Sequence, residues 1–342
     1  MNKGFQCRGF LAAIGCPPTV NGFSFVQGTQ QHDNNRCQSG YSGVGVQFAK
    51  IIILPHPGGE RLPSRGSNRV PWPPFGAAHR RKFLQAPGEW ALSTGESGDS
   101  LLEFWGEYEG PTFCSRLPPG RGLPQAVHSI DPRPEPPTRN TDPWVFHQGF
   151  VWSLCRHKNL PTIVPSGTVV LFGSTVSGEW LLDTVFVVNR RIAGVAGKIG
   201  GPYDRLVLPT IPGAFQPFIG IPYTTAAELF SFVPARRIDN EHKPFRRPSM
   251  NSLFSLLRKG TDRQPPSPRN AQGLAVCTAI GGVRSFWNAL VRETEEAGLV
   301  LGTLFHHPSR VDELPTGAAT STACGELDVT RPPRSPSCSG PC

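Results

Sequence analysis

An acidic segment of alternating character runs Glu103-Phe104-Trp105-Gly106-Glu107-Tyr108-Glu109. If it forms a β-strand, alternation places the three glutamates and Trp105 on one face. Three carboxylates on one face repel one another unless water or a cation separates them. The basic string His79-Arg80-Arg81-Lys82 is one source of positive charge, and a hard divalent metal held by oxygen ligands is another. A solvated strand face with Trp105 covering the core is the structural alternative.

A second polar string runs Arg139-Asn140-Thr141-Asp142-Pro143-Trp144-Val145-Phe146-His147. Asn, Thr and Asp before Pro are typical of a turn whose side chains bond the local backbone. The same groups can read a base edge or a sugar while Trp144 stacks on a ring. Cys155 follows, with His147 or His157 as a partner for a nucleophile. A small buried cysteine is the alternative interpretation.

Asp183 is the only charged residue in the apolar run Trp180–Val188. A carboxylate there must be paired, for example with an arginine, or must point into a polar pocket. A basic region lies further along the chain, and its aromatic neighbours Phe245 and Phe254 suit either a nucleic-acid backbone with stacked bases or an exposed loop. Its cations are Arg236, Arg237, Lys243, Arg246, Arg247, Arg258 and Lys259. Neither a GxSxG serine motif nor a phosphate loop with the required spacing is found around Ser174 or Lys198.

Strand signals dominate the elements that must position these groups. Ala49–Leu54, 168–172 and 180–188 are apolar runs that suit strands buried on both faces. The last two predict an antiparallel hairpin with its turn at Ser174–Gly178. One helix is predicted from Phe286 to Ala297, capped by Ser285 and ended by Gly298, with a strand over Leu299–Phe305. A shorter helix is predicted over Asn251–Lys259.

Composition limits the fold class and the compartment. The 342 residues include 38 Gly and 37 Pro, which argues against a helical bundle, and the formal charge of +9 allows a nucleic-acid or nucleotide partner. We expect an α+β domain over residues 45–307, built on a mixed or antiparallel sheet, with a partly closed barrel as one form, and a few peripheral helices. Residues 1–44 and 308–342 are predicted to be a poorly packed leader and a disordered tail. No apolar stretch approaches the roughly 20 residues of a membrane span, and the cysteine pattern favours the cytoplasm.

Several strings resemble those of an uncharacterised family of bacterial proteins. They are His79-x-Arg81-Lys82-Phe83, Phe104–Glu109, Asn140–Phe146, Leu171–Ser174, Leu182–Val188 and Ser231–Ala235. The resemblance covers roughly residues 44–310 and supplies no catalytic residues. A vaguer similarity is to the small β-barrel domains of the PUA and ASCH type, which implies binding of RNA or modified bases.

The leading hypothesis is a nucleotide- or nucleic-acid-binding protein. Trp105 or Trp144 would stack on bases, His79, Arg81 and Lys82 would meet phosphates, and Asn140 and Asp142 would read polar edges. The alternatives are a hydrolase or transferase, with or without a metal, that acts through Glu107, Glu109, Asp142 and Asp183, and a non-catalytic structural protein. The sequence assigns no metal ligands and no cofactor.

Overall fold

A computed structural model describes residues 49–56, 58–73, 80–120, 122–133, 141–146, 149–153, 164–192, 199, 201–210, 216–239, 244–259 and 275–308. His79, Asn140, Cys155 and its two candidate histidine partners lie outside these residues, as do the leader and, except for Pro308, the tail.

Fourteen strands in the described residues form two seven-stranded sheets. The strands are β1 (Ile51–Pro55), β2 (Arg69–Val70), β3 (Lys82–Ala91), β4 (Ser97–Gly106), β5 (Thr112–Arg116), β6 (Ala126–Ile130), β7 (Val151–Trp152), β8 (Val169–Val176), β9 (Glu179–Arg191), β10 (Phe218–Gly220), β11 (Val233–Arg237), β12 (Leu257–Lys259), β13 (Ala275–Ala279) and β14 (Val300–Phe305). The helices are α1 (Gly201–Leu206) and α2 (Gly282–Glu296), with 3-10 turns at Leu208–Thr210 and Leu253–Leu256. The predicted α+β class with few helices is confirmed.

Both sheets are mixed, and the second is partly closed. The first has the order β12-β13-β1-β8-β9-β10-β7, with β1 and β8 parallel. The second has the order β14-β11-β4-β3-β6-β5-β2, with β3 and β6 parallel. Because β14 also pairs with β3, the strands β3, β4, β11 and β14 form a closed four-stranded barrel. This closure removes the exposed edges that those strands would otherwise present.

The central strands of the first sheet are buried on both faces. In β1, Ile52 and Leu54 pack into one apolar cluster with the interior of the barrel, whereas Ile51 and Ile53 pack into a second cluster with α2. All four side chains are almost fully buried. This two-sided burial explains why the strand reads as a continuous apolar run instead of an alternating one.

The predicted hairpin is confirmed, but its strands are longer than expected. β8 and β9 pair in antiparallel fashion and extend into the predicted turn, which shortens to Ser177-Gly178. Both residues have positive φ, 52° and 82°. A two-residue turn with this twist matches the right-handed twist of the strands, so the pairing can continue to its end.

One predicted helix start is wrong, and one predicted helix is not formed. The late helix begins at Gly282, four residues before the predicted start, and the left-handed Gly281 takes the N-cap position instead of Ser285. Its predicted end at Gly298 and the following strand are confirmed. Residues 251–259 form a single 3-10 turn and β12 instead of a second helix, because Leu257–Lys259 finds an antiparallel partner in β13. The longest described helix, α2, has 15 residues, and no described helix has the length and apolar character to cross a membrane.

Candidate ligand-binding site

The prediction that the acidic segment presents its three carboxylates on one face is wrong. Strand β4 ends at Gly106, so the alternation stops before Glu107. Glu103 pairs with Arg236, and Glu107 contacts His56. The backbone N–H of Glu109 donates to Thr141 Oγ1 over 3.2 Å. The three glutamates therefore enter three different surroundings.

A buried network of charged groups forms where the two sheets meet. Arg81 Nη2 lies 2.6 Å from Asp183 Oδ2, and Arg81 Nη1 lies 4.0 Å from Glu107 Oε2. His56 Nδ1 lies 2.7 Å from the same glutamate oxygen. The side chains of Arg81 and Asp183 are only 1% and 0% exposed, so water screens this pair little. The prediction that Asp183 is paired with an arginine is confirmed.

Arg247 extends this network to Ser174 and Trp105. Its Nη1 donates to Asp183 Oδ1 over 3.0 Å and to Ser174 Oγ over 2.7 Å. Its guanidinium lies over the ring of Trp105, 4.7 Å from the ring centroid. The basic region, which was expected either to face a nucleic-acid backbone or to form an exposed loop, thus uses Arg247 inside the fold, and Arg236 pairs with Glu103.

A β-bulge aims Asp183 at these arginines. Phe172 pairs with Thr184, but the next residue, Gly173, pairs with Leu182, so Asp183 is the extra residue on β9. A bulge turns a side chain out of the alternation that the strand would otherwise impose. Leu182 and Val185 can therefore share the apolar face toward α2 while Asp183 reaches the charged network.

The network pairs groups of opposite charge and is closely packed. Two carboxylates, Glu107 and Asp183, face two guanidinium groups and one imidazole. The cavity beside Glu107 has a volume of about 10 Å³, which is at most enough for one water molecule. This arrangement favours a structural role for the two carboxylates in joining the sheets. Catalysis by Glu107, Glu109, Asp142 and Asp183 stays a prediction.

Lys82, the first residue of β3, does not join this network and is fully buried. Its Nζ donates to the carbonyl of Gly110 over 2.6 Å. Burial lowers the pKa of Lys82 to about 7, with Arg61 acting in the same direction and Glu109 opposing it. Nearby, Thr112 Oγ1 and His128 Nδ1 are 3.0 Å apart, and burial lowers the pKa of His128 to about 4. In this structure neither Arg81 nor Lys82 reaches the surface, so their predicted contact with phosphates would need another conformation.

The predicted stacking residues are also covered. Trp105 is 7% exposed and packs between Phe83 and Arg247. Trp144 is 1% exposed, stacks on His307, and donates its indole N–H to the carbonyl of Phe146 over 2.7 Å. A stacking role for either ring stays a prediction.

Asp142, expected to read a polar edge, is buried as well. Its Oδ1 accepts the backbone N–H of Ser153 over 2.9 Å, so the carboxylate holds two chain segments together. The fold thus brings Asp183 to Arg81, whereas it anchors Asp142 to the segment that contains Ser153.

An accessible cationic pocket is lined in part by Arg80, the residue before Arg81. Its volume is about 230 Å³. The lining residues are three arginines, one serine and a short apolar wall: Arg61, Arg69, Arg80, Ser64, Leu62, Pro63, Val70 and Pro71. Arg80 is exposed, and Arg61 and Arg69 are half-buried. We call this cavity the arginine pocket.

Backbone pairing brings these arginines together. The N–H of Arg81 donates to the carbonyl of Gly59, and the N–H of Arg61 donates to the carbonyl of Arg81, over 2.9 and 2.7 Å. These bonds place Arg61 beside Arg80. Arg69 enters from β2, which pairs with β5. Sequence reasoning singles out neither Arg61 nor Arg69, although three arginines in the nine residues 61–69, among Gly, Pro and Ser, are a visible signal of a cationic loop.

Two carboxylates near the pocket already have partners. Asp131 Oδ2 accepts Arg69 Nε over 2.9 Å and Arg133 Nη2 over 2.7 Å. Arg133 and Arg69 hold the pKa of Asp131 well below its usual range. The carboxylate of Glu60 accepts the backbone N–H groups of Gln125 and Ala126. Neither carboxylate is among the described lining residues of the arginine pocket, whose charged members are all arginines.

Comparison with known proteins identifies no similar protein. No protein-family model matches the chain, and searches of curated proteins and of solved structures give no match. The resemblance to an uncharacterised bacterial family and to PUA and ASCH domains stays a prediction.

Proposed function

We propose that this chain binds a phosphate-bearing ligand, a nucleotide or a nucleic acid, and that the ligand's phosphate lies in the arginine pocket. The observation that carries the proposal is the convergence of three guanidinium groups and a serine hydroxyl on one open cavity. Guanidinium groups remain charged at all relevant pH values and match the geometry of phosphate oxygens with paired N–H donors. The formal charge of +9 over the whole chain favours approach of an anionic ligand.

The contrast with the buried network supports this choice of site. The guanidinium of Arg81 is enclosed and paired with Asp183, whereas Arg80, the next residue, is exposed at the arginine pocket. The Arg80 side chain makes a long hydrogen bond, 3.5 Å from its Nη1 to the carbonyl of Glu60. Because a bond of this length is weak, Arg80 can exchange it for an incoming phosphate at little cost.

The test measures binding of a fluorescent single-stranded oligonucleotide by anisotropy over a salt series. We expect binding at low salt that weakens as salt rises, because phosphate contacts release counterions. The double variant Arg61→Ala with Arg80→Ala should bind at least about tenfold more weakly, since each bond between charged partners contributes about 1.5–3 kcal/mol. Its salt dependence should also be shallower, by about the one phosphate contact that the pocket makes.

A second double variant, Arg190→Ala with Arg284→Ala, serves as the control. It removes the same charge from two exposed arginines that do not line the pocket. It should lose no more than about twofold, the share expected from net charge alone. Absence of wild-type binding at low salt, or equal losses in the two double variants, would overturn the proposal.

A further inference from the structure

Three side chains that can bind a metal ion meet on the closed barrel, and none of them lines the arginine pocket. They are Glu89, Asp99 and His306, and one potential ligand atom from each lies within 4.8 Å of the other two. All three residues are exposed. The sequence gives no sign of this cluster, because His306 lies far along the chain from the two acidic residues.

Backbone pairing makes these three residues neighbours. Glu89 of β3 lies directly opposite Asp99 of β4, and Leu304 of β14 pairs with Glu89 from the other side. The N–H of His306 donates to the carbonyl of Pro87 over 2.8 Å, so the contact with β3 continues just past the end of β14. Because residues two apart share one face of a strand, His306 lies diagonally beside Glu89. The three groups thus come from three adjacent strands of the barrel.

The two acidic members of this cluster face each other across paired strands. Like charges in directly opposite positions repel and destabilise a sheet. Glu103, which lies further along β4, has Arg236 as its partner. Within the described residues, neither Glu89 nor Asp99 forms an ion pair with a lysine or an arginine. A divalent cation between the two carboxylates would replace their repulsion with attraction to a shared ion.

The imidazole indicates which class of cation fits. Magnesium and calcium take oxygen ligands, whereas an imidazole nitrogen together with carboxylate oxygens suits zinc and similar transition-metal ions. Ligand atoms that each lie about 2.0–2.2 Å from one zinc ion are about 3.4 Å apart in a tetrahedron. The ligand atoms here are within 4.8 Å of one another, so rotation of exposed side chains can bring them together.

A cavity of about 420 Å³ borders this cluster. Glu89 and His306 are among its lining residues, together with Thr303 and Tyr223. Its volume lies within the roughly 300–1,000 Å³ of pockets that take a small molecule. Three protein ligands leave the fourth position of a tetrahedral zinc ion for water or another ligand. The cavity beside two of the three ligands provides room for such a group.

We propose that Glu89, Asp99 and His306 bind one divalent transition-metal ion, with zinc as the best fit, and that a small ligand in the neighbouring cavity can complete its coordination. This site shares no lining residue with the arginine pocket, so it stands or falls separately from the proposed phosphate site.

The test titrates zinc into the full chain by isothermal titration calorimetry, after alkylation of accessible thiols so that cysteines do not compete for the ion. We expect Glu89→Gln and His306→Ala each to weaken one zinc site at least about tenfold, since removing a group that only supports a metal ligand already costs about 10–100-fold. Glu179→Gln, at an exposed glutamate on β9, is the matched control and should keep the wild-type affinity.

Melting curves separate lost binding from lost folding. Without zinc, the variants should melt with the wild-type protein, because the substituted side chains are exposed. Added zinc should raise the melting temperature of the wild-type protein and of Glu179→Gln, but not that of Glu89→Gln or His306→Ala. If the wild-type protein binds no zinc, or if Glu89→Gln and Glu179→Gln bind it equally well, the proposal is wrong. A crystal in which the anomalous signal of zinc lies away from these three residues would overturn it as well.

Discussion

Replacing Asp183 with asparagine is the sharpest test of the buried network. Its carboxylate is fully buried, accepts a hydrogen bond from Arg247 over 3.0 Å and lies 2.6 Å from Arg81 Nη2. Without that charge, the guanidinium groups of Arg81 and Arg247 would share one remaining carboxylate in the network, that of Glu107, whose Oε2 lies 4.0 Å from Arg81 Nη1. Removing one partner of a buried ion pair leaves an uncompensated charge and costs about 3–5 kcal/mol. We therefore expect Asp183→Asn to lower the free energy of unfolding by that amount.

Urea unfolding measures the change, with an unchanged m value as the sign that only stability was altered. Glu228→Gln is the matched control, because Glu228 pairs with Arg284 over 3.0 Å but both side chains are more than 60% exposed. An exposed pair contributes about 0–1 kcal/mol. If Asp183→Asn fails to fold, Arg247→Met probes the same carboxylate from its more accessible side. A loss in Asp183→Asn no larger than in Glu228→Gln would show that the buried pair does not stabilise the fold as inferred.

Two further changes test the surroundings of β3. Burial lowers the pKa of Lys82 to about 7, so between about pH 7 and 10 the unfolded chain binds a proton that the folded chain lacks. The free energy of unfolding therefore rises with pH in that range, by up to about 1.4 kcal/mol per pH unit. Lys82→Met should remove that slope in urea unfolding across the range, whereas Lys259→Met, at an exposed lysine, should keep it. In Gly88→Ala, the new Cβ would lie 2.4 Å from the Leu304 carbonyl where β14 closes the barrel, which should cost about 1–3 kcal/mol. Gly59→Ala is the control, because its new Cβ would have no neighbour within 4 Å. If the two variants had equal melting temperatures, the close packing of β3 against β14 in the barrel would be contradicted.

Local patterns predicted the strands whose side chains are buried on both faces. Ala49–Leu54 and Trp180–Val188 were identified because a short continuous apolar run between turn residues is typical of a strand buried on both faces. The start of α2 was missed because glycine has low helix propensity, so Gly281 and Gly282 did not indicate a helix. The strand at Leu257–Lys259 was missed because its partner, β13, is separated from it by a stretch of sequence with no strand signal of its own.

The charged network was predictable only in part. A carboxylate inside an apolar run must be paired, so the partnership of Asp183 with an arginine was among the expected outcomes. The identity of that arginine depends on the bulge at Asp183 and on the meeting of two sheets, which local sequence does not encode. The assumption that β4 continues through Glu109 was wrong, and it alone grouped the three glutamates.

The arginine pocket was missed for a related reason. Arg61 and Arg80 lie in separate parts of the sequence and become neighbours only through backbone hydrogen bonds between residues 59–61 and Arg81. Attention to the basic string 79–82 selected Arg81 and Lys82, whose side chains are buried, instead of Arg80, whose side chain is exposed. Composition indicates positive charge, but the exposure of each cation depends on the fold.

The location of the phosphate can be measured directly by diffraction. Crystals of the full chain soaked in tungstate, a heavy analogue of phosphate, would reveal the bound anion by its anomalous signal. We predict a peak within hydrogen-bonding distance of the guanidinium groups of Arg61, Arg69 and Arg80, and its loss when phenyl phosphate is added in excess. A fully occupied peak elsewhere, with the arginine pocket empty and free of crystal contacts, would contradict a phosphate site at these three arginines.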